Sequence, residues 1–271
     1  MALTTSRDSI RSPISPSSIV TALRGTGRAL VALSGGVDSS VVALLAYRAL
    51  GPDAIAVTLT GPAVSRDELE SAGQVARAIG IAHVQLVSDP LSDSRYAGNP
   101  NNRCYFCRSH EAELLRAWGQ EHAIKVYLDG VHLDDLGDAR PGIQALNEHG
   151  FRHPLVEAGW TKTDIRNFAR SSGLPTWDRP SNACLASRVA HGQPITRSVL
   201  NQVARAEEWV TARGYRRVRV RVEGDRARVE VAPEEVPHLQ SEAGLLRQAL
   251  FGFGFASVEI DPSGYRVRQN A

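Results

Sequence analysis

The chain has 271 residues, 42% of them hydrophobic, enough for one full core and a second smaller one, since single domains commonly run to roughly 100–200 residues. Its 31 basic and 29 acidic residues leave a net charge of +2, too even for sequence-wide capture of nucleic acid or an anionic membrane, so a small-molecule partner is expected. No run approaches the ~20 consecutive apolar residues of a membrane span and no secretory core stands at the N-terminus, which points to a soluble cytoplasmic protein.

Residues 1–18 are rich in Ser, Pro and Arg, with Asp8 as their single acid. That composition could imitate an organelle transit peptide, but it reads better as a disordered or loosely attached tail, extending through residue 24. Residues 28–33 form a short apolar run, and 39–50 an apolar helix stopped by Gly51-Pro52. A second strand is expected over 54–59, a helix over 67–79 ending at Gly80, and a third strand over 83–87. A helix from about 104 to 122 then precedes a strand over 125–129. Strands separated by helices imply parallel pairing through right-handed crossovers, hence an α/β, doubly wound parallel sheet. Ligands in such sheets bind beyond the carboxyl ends of the strands, where the loops after Leu33 and Asp129 both lie.

The pattern changes near residue 195. A helix is expected over 196–212, closed by Gly214, and Val218-Arg219-Val220-Arg221-Val222 alternates as a half-buried strand does. Gly224-Asp225 turns the chain into a strand over 227–231, followed by a helix over 237–250 and a last strand over 256–260. The resulting division is a tail (1–24), an ATP-binding domain (25–194) and a small C-terminal α+β domain (195–271).

Ser34-Gly35-Gly36-Val37-Asp38-Ser39-Ser40 links the first strand to its helix. Its glycines let the backbone approach an anion, while the helix presents unpaired N–H groups. The hydroxyls of Ser34, Ser39 and Ser40 add donors for phosphate, and Asp38 suits the Mg²⁺ that accompanies ATP. The Walker and dinucleotide patterns both fail, which disfavours transfer at a γ-phosphate. The plain alternative is a Gly-Ser turn.

This segment resembles the PP-loop of the adenine-nucleotide α-hydrolase superfamily, which cleaves ATP between its α and β phosphates to adenylate a carbonyl or carboxylate. Three further segments follow in order: Asn102-Arg103-Cys104-Tyr105-Phe106-Cys107-Arg108, Asp134-Asp135-Leu136-Gly137-Asp138-Ala139-Arg140-Pro141-Gly142, and Ala183-Cys184-Leu185-Ala186-Ser187-Arg188. With the small C-terminal domain they resemble the LarE family, ATP-dependent sulfur transferases of nickel-pincer nucleotide synthesis for lactate racemase, over residues 25–268. The resemblance implies a pyridinium dicarboxylate mononucleotide whose carboxylates are adenylylated and then converted to thiocarboxylates. It also implies ATP, Mg²⁺, a homo-oligomer and, as possible partners, a sulfur donor and lactate-racemase maturation proteins. Catalytic roles fall on Asp38, Asp135 and Cys184, and substrate contacts on Arg108, Ser187, Arg188, Arg219, Arg221 and Arg266. Where relatives often have Thr-Asn after Gly130, this chain has Val131-His132, so nucleotide contacts are not assigned there.

Arg219 and Arg221 stand two apart on a strand and project from one face as a two-pronged phosphate clamp; a solvent-facing basic strand is the plain alternative. Glu207 and Glu208 are read as solvated helix residues, although the family has a divalent-ion ligand in this region. Cys104, Cys107 and Cys184 are an odd set in a chain with no export signal, so metal or redox chemistry outranks disulfides. The resemblance implies that all three hold an oxygen-sensitive [4Fe-4S] cluster with one iron open for sulfur. The alternatives are sacrifice of the Cys184 sulfur, zinc completed by a residue such as His110, a Cys104–Cys107 redox pair, and packed thiols. An ammonia-using ligase, a transfer-RNA thiolase and a non-catalytic nucleotide-binding or metal-binding module are the functional rivals.

Overall fold

The computed structural model describes residues 14–137 and 140–265; Asp138, Ala139 and Arg266 lie outside them. Helix α1 (Pro16–Leu23) begins inside the stretch expected to be a loose tail. Ser15 caps it by accepting from the Ser18 N–H, and proline at its first position removes an N–H that would have no partner there. Ile19 and Leu23, four apart and buried, dock it on the main core. A two-residue apolar stripe in a polar stretch is too small to register in composition.

Strands β1 (Ala29–Ala32), β2 (Ala54–Thr60), β3 (Ala82–Val87) and β4 (Val126–Leu128) form a parallel sheet in the order β3-β2-β1-β4. Helices α2 (Val37–Leu50) and α3 (Arg66–Ile79) are crossovers, while the short α4 (Ser94–Ala97) and long α5 (Arg103–Glu121) lead from β3 to β4. The first five residues of β2 are buried, as in a strand covered on both faces. Strand order reverses between β1 and β4, so the loops leaving these two strands diverge and open a crevice.

Three helices were not expected between β4 and residue 171: α6 (Pro141–Glu148), α7 (Pro154–Glu157) and α8 (Lys162–Ser171). Two of them are too short to carry a periodic pattern, and both start on proline. The third begins with a capping box, Thr161 and Asp164 satisfying each other's backbone N–H groups, and packs against α2.

The second core is built by α9 (Arg197–Thr211), β5 (Arg219–Glu223), β6 (Arg226–Glu230), α10 (Val236–Ser241), α11 (Ala243–Gly252) and β7 (Ser257–Ile260). Strands β5 and β6 form an antiparallel hairpin over Gly224, whose φ of 62° suits glycine, and β7 returns parallel to β6. The single helix expected over 237–250 is two, broken at Glu242, which takes a hydrogen bond from the Tyr215 hydroxyl. This core also takes in Ala63, Tyr96, Leu185, Ala186, Val189 and Ile195, so the packing unit reaches back across residue 195. A parallel bridge between Val189 and Val222 carries the Cys184 segment onto β5.

Candidate active site

The loop after β1 is shaped by close packing. Gly35 has φ 78°, and a Cβ there would stand 2.5 Å from the Glu68 carbonyl oxygen and 2.8 Å from the Ala72 nitrogen, so only glycine fits against α3. Ser71 fixes it by donating to the Gly35 carbonyl at 2.8 Å. Ser39 and Ser40 are buried, and both donate back to the Gly36 carbonyl, at 3.2 and 2.7 Å. In this structure both hydroxyls therefore serve the shape of the loop itself. Ser34 is exposed, and Gly36 begins α2 with no side-chain cap, leaving the first-turn N–H groups to face an anion.

The loop after β4 closes over that helix end. A Cβ on Gly130 would meet the Ser39 nitrogen at 2.7 Å and the Asp38 carbonyl carbon at 3.0 Å. Lys162 donates to both Asp38 oxygens at 2.6 Å, and its own backbone N–H donates to Asp134 at 2.7 Å. The Nε2 of buried His132 lies 4.0 Å from Asp38 and 3.4 Å from Asp135, and its Nδ1 lies 3.9 Å from Asp134 without a hydrogen-bond partner. Asp135 also accepts from the His132 N–H at 3.1 Å and from Arg140 at 2.5 Å. Thus Asp38, Asp134 and Asp135 meet around one histidine and one lysine. Neither Lys162 nor His132 was singled out in the sequence as a site residue. The T-x-x-D capping box before α8 was the available signal for Lys162, because it fixes the lysine at the first helical position. Behind the cluster, buried Asp129 takes a 2.8 Å hydrogen bond from His153. Burial opposes the charged His153 ring, but the hydrogen bond and charge of Asp129 together raise its pKa.

Cys104 and Cys107 lie on the first turns of α5, and Cys184 ends the loop before residues 185–188. Cys104 and Cys184 are exposed, and Cys107 is half-buried with its thiol donating to Glu111 at 3.4 Å. Burial, Glu111 and Cys184 raise the Cys107 pKa, so the Cys184 thiol lies within its electrostatic reach. Among the described residues no three His, Cys, Asp or Glu side chains converge on a single ion. A Cβ on Gly142 would touch the Arg108 and Cys104 side chains at 3.1 and 3.8 Å. The cysteine helix therefore packs on the start of α6, directly beyond the acidic loop.

The Cys184 loop is held from inside. Arg188, fully buried, donates to Glu207 at 2.8 and 3.1 Å, to the Cys184 carbonyl at 3.1 Å and to the Ser187 hydroxyl at 2.9 Å. Glu207 in turn accepts from the Val220 N–H at 2.9 Å. Arg219 and Arg221 share a face of β5, as alternation requires, but their surroundings differ. Arg221 pairs with Glu230 at 3.2 Å and donates to the Ser187 carbonyl at 3.2 Å. Arg219 lies over the Tyr265 ring, and burial and then the nearby Arg188 charge lower its pKa.

The asparagine synthase family pattern matches residues 17–93, the stretch from α1 through β3 that contains the glycine loop. An uncharacterized protein of Synechocystis is 42% identical over 88% of this chain and 90% of its own length. The pyridinium-3,5-bisthiocarboxylic acid mononucleotide synthase of Lactiplantibacillus plantarum is 32% identical over 92% of this chain and 90% of its own length. The chain belongs to the LarE family. The transfer-RNA-specific 2-thiouridylase MnmA of Desulforamulus reducens, 29% identical over 57% of this chain and 53% of its own length, is a more partial relative. The α/β fold is that of PP-loop ATPases.

Among the positions carried over from LarE proteins, Arg188 is buried, and its guanidinium donates to Glu207 and to the Ala183 and Cys184 carbonyls of its own loop. Glu207, read as a solvated helix residue, is that arginine's counter-ion. Arg108 is half-exposed and pairs with Glu111 at 2.7 Å. Arg266 lies outside the described residues. None of the helices among the described residues is long and apolar enough to cross a membrane.

Proposed function

We propose that this LarE-family protein is an ATP-dependent sulfur transferase acting on pyridinium-3,5-biscarboxylic acid mononucleotide in nickel-pincer cofactor synthesis. The observation that carries the reading is the packing of Cys104 and Arg108 against Gly142, which sets thiols beside the acidic loop that covers the open end of α2. An anion cradle and sulfur chemistry therefore share one edge of the sheet.

The N–H groups of α2 and the Ser34 hydroxyl receive the phosphates of ATP. One or two carboxylates with substrate phosphates suffice for Mg²⁺, and Asp38 with Asp135 fits that donor set. Bound there, the ion supplies charge neutralisation at the phosphates. Lys162, which holds Asp38 at 2.6 Å, is then released toward the polyphosphate. A substrate carboxylate oxygen attacks the α-phosphorus, the α–β bridging P–O bond breaks and pyrophosphate leaves. Sulfur then attacks the acyl carbon, the C–O bond to AMP breaks and a thiocarboxylate remains. Arg219 and Arg221 bind the substrate's phosphate, and Ser187, whose carbonyl accepts from Arg221, contributes its hydroxyl.

The three thiols suit a [4Fe-4S] cluster, whose ligands bind separate irons and so stand further apart than those of one ion. Cys104, Cys107 and Cys184 would hold it, and an iron lacking a protein ligand would supply a place for transferable sulfur. A homo-oligomer fits the exposed Leu245 and Phe251 of α11. The test is pyrophosphate and AMP formation on adding ATP and the pyridinium dicarboxylate mononucleotide. ATP binding with no pyrophosphate release would mark a nucleotide-binding module instead.

A further inference from the structure

His132 sits among the carboxylates of the acidic loop, and the proposed chemistry gives it no task. Its side chain is 10% exposed, and its two ring nitrogens face different acids. Nε2 lies 3.4 Å from Asp135 and 4.0 Å from Asp38, while Nδ1 lies 3.9 Å from Asp134. These separations exceed the roughly 2.7–3.2 Å of an N–H···O bond. Nδ1 is buried with no hydrogen-bond partner. Buried polar atoms are almost always bonded, so an unpaired imidazole among carboxylates points to a ligand that completes the group. Lys162 pairs with Asp38 and Arg140 with Asp135, while Asp134 accepts a backbone N–H, so the carboxylates outnumber the basic side chains paired with them.

The spacing is that of a metal-binding imidazole. Two ligands each about 2.1 Å from one ion, at octahedral to tetrahedral angles, stand about 3.0–3.4 Å apart. Nε2 and Asp135 meet that separation at 3.4 Å. A ligating histidine normally donates its other ring N–H to a carboxylate, and Asp134 stands on the Nδ1 side. Among the described residues no third side chain converges with this pair while Lys162 holds both oxygens of Asp38. The remaining positions fall to the phosphates of the nucleotide and, once the lysine moves, to Asp38.

We infer that His132 Nε2 is a ligand of the divalent ion that accompanies ATP, and that it biases this site from Mg²⁺ toward a first-row transition ion. The inference rests on the ATP site of the proposed function and adds a nitrogen donor to its carboxylates. Mg²⁺ takes oxygen ligands and gives up its waters reluctantly, whereas imidazole suits the transition ions. The ring also keeps its second nitrogen for Asp134, whose charge strengthens it as a donor. The choice of metal is thus set by one side chain on the loop that closes over the end of α2.

The experiment is pulsed electron paramagnetic resonance of Mn²⁺ bound to the full chain with α,β-methylene ATP, the protein carrying ¹⁵N-labelled histidine so that adenine nitrogens are told apart. The parent should show histidine hyperfine coupling to Mn²⁺, and His132→Asn should lose it. Calorimetry with the same nucleotide should show Mn²⁺ binding weakened about tenfold or more in His132→Asn and Mg²⁺ binding changed far less, since losing even an outer partner of a metal-bound histidine costs about 10–100-fold. Asp134→Asn keeps the imidazole, so it should retain the coupling while Mn²⁺ affinity falls about tenfold. No histidine coupling in the parent, coupling that persists in His132→Asn, or equal losses of Mn²⁺ and Mg²⁺ affinity in that variant each overturn the inference. If the parent releases pyrophosphate with Mg²⁺ and shows no histidine coupling, only this inference falls. If the coupling is present and no pyrophosphate is released on adding the pyridinium dicarboxylate mononucleotide, the ligand stands and the sulfur-transfer reading falls.

Discussion

Asp38 carries its counter-charge in advance. Lys162 bridges both carboxylate oxygens at 2.6 Å, and the pair is only a quarter exposed, so the acid is held in place; on the proposed reading, the cation that accompanies the nucleotide takes the place of the lysine. Replacing Asp38 with Asn removes that site and should lower pyrophosphate release by about 10²–10³-fold while the melting temperature stays near the parent's. A variant that adenylylates at the parental rate would refute the role. At the other prong of the site, Arg219 and Arg221 together should control the substrate phosphate. Changing both to Ala should raise the Kd for the pyridinium nucleotide and barely move that for ATP; equal losses would indicate a misplaced clamp or general destabilisation. His153 adds a pH dependence. Its pKa is raised in the fold, so the stability it contributes is complete below the ordinary imidazole value of about 6.5 and is lost as pH rises through the raised native value. His153→Gln should flatten the melting temperature across that window.

Two connections between elements decide whether the site assembles. Gly130 lies against the backbone of α2, where an added Cβ would stand 2.7 Å from the Ser39 nitrogen. Gly130→Ala should therefore push the acidic loop off the helix end, costing about 1–3 kcal/mol by overpacking and weakening ATP binding at the same time. Unchanged ATP affinity measured by calorimetry would show that the loop is not part of the cradle. On the sulfur side, Asn99 is wholly buried at φ 55°, donates to the Ala190 and Gln193 carbonyls at 2.8 and 2.9 Å, and accepts from Arg103. It ties the cysteine helix to the segment after Cys184. The main strands and helices were legible because their apolar periods are long and end at glycine, as at Gly51 and Gly80. Lys162 and the Arg188–Glu207 pair were not, because each acquires its partner from another element, and His132 was not, because its meeting with Asp38 depends on how the loop after β4 folds over α2. Sequence spacing shows which face a residue shares with its neighbours, as it did for Arg219 and Arg221, but not which charge will stand opposite.

At the scale of the whole molecule, the two cores meet through the segment that carries Cys184. Leu185 donates its N–H to Ala63 at the entrance to α3, Val189 bridges to Val222 of β5, and Arg188 is locked to Glu207 of α9. The segment after Cys184 thus joins the loop before α3 to the second sheet, an arrangement that, on the proposed reading, suits a substrate that spans both. If the three cysteines act together, each single Cys→Ala change should remove bound iron and repeated turnover in one step. An iron-free enzyme that stops after one event, with the Cys184 sulfur gone, would establish the sacrificial route in its place. The most direct test of sulfur transfer is mass spectrometry of the nucleotide product after anaerobic incubation of the protein with ATP, magnesium, sulfide and pyridinium-3,5-biscarboxylic acid mononucleotide. The account requires AMP and a product in which a carboxylate oxygen has been exchanged for sulfur. An unchanged nucleotide, or an amide formed when ammonia is supplied, would contradict it.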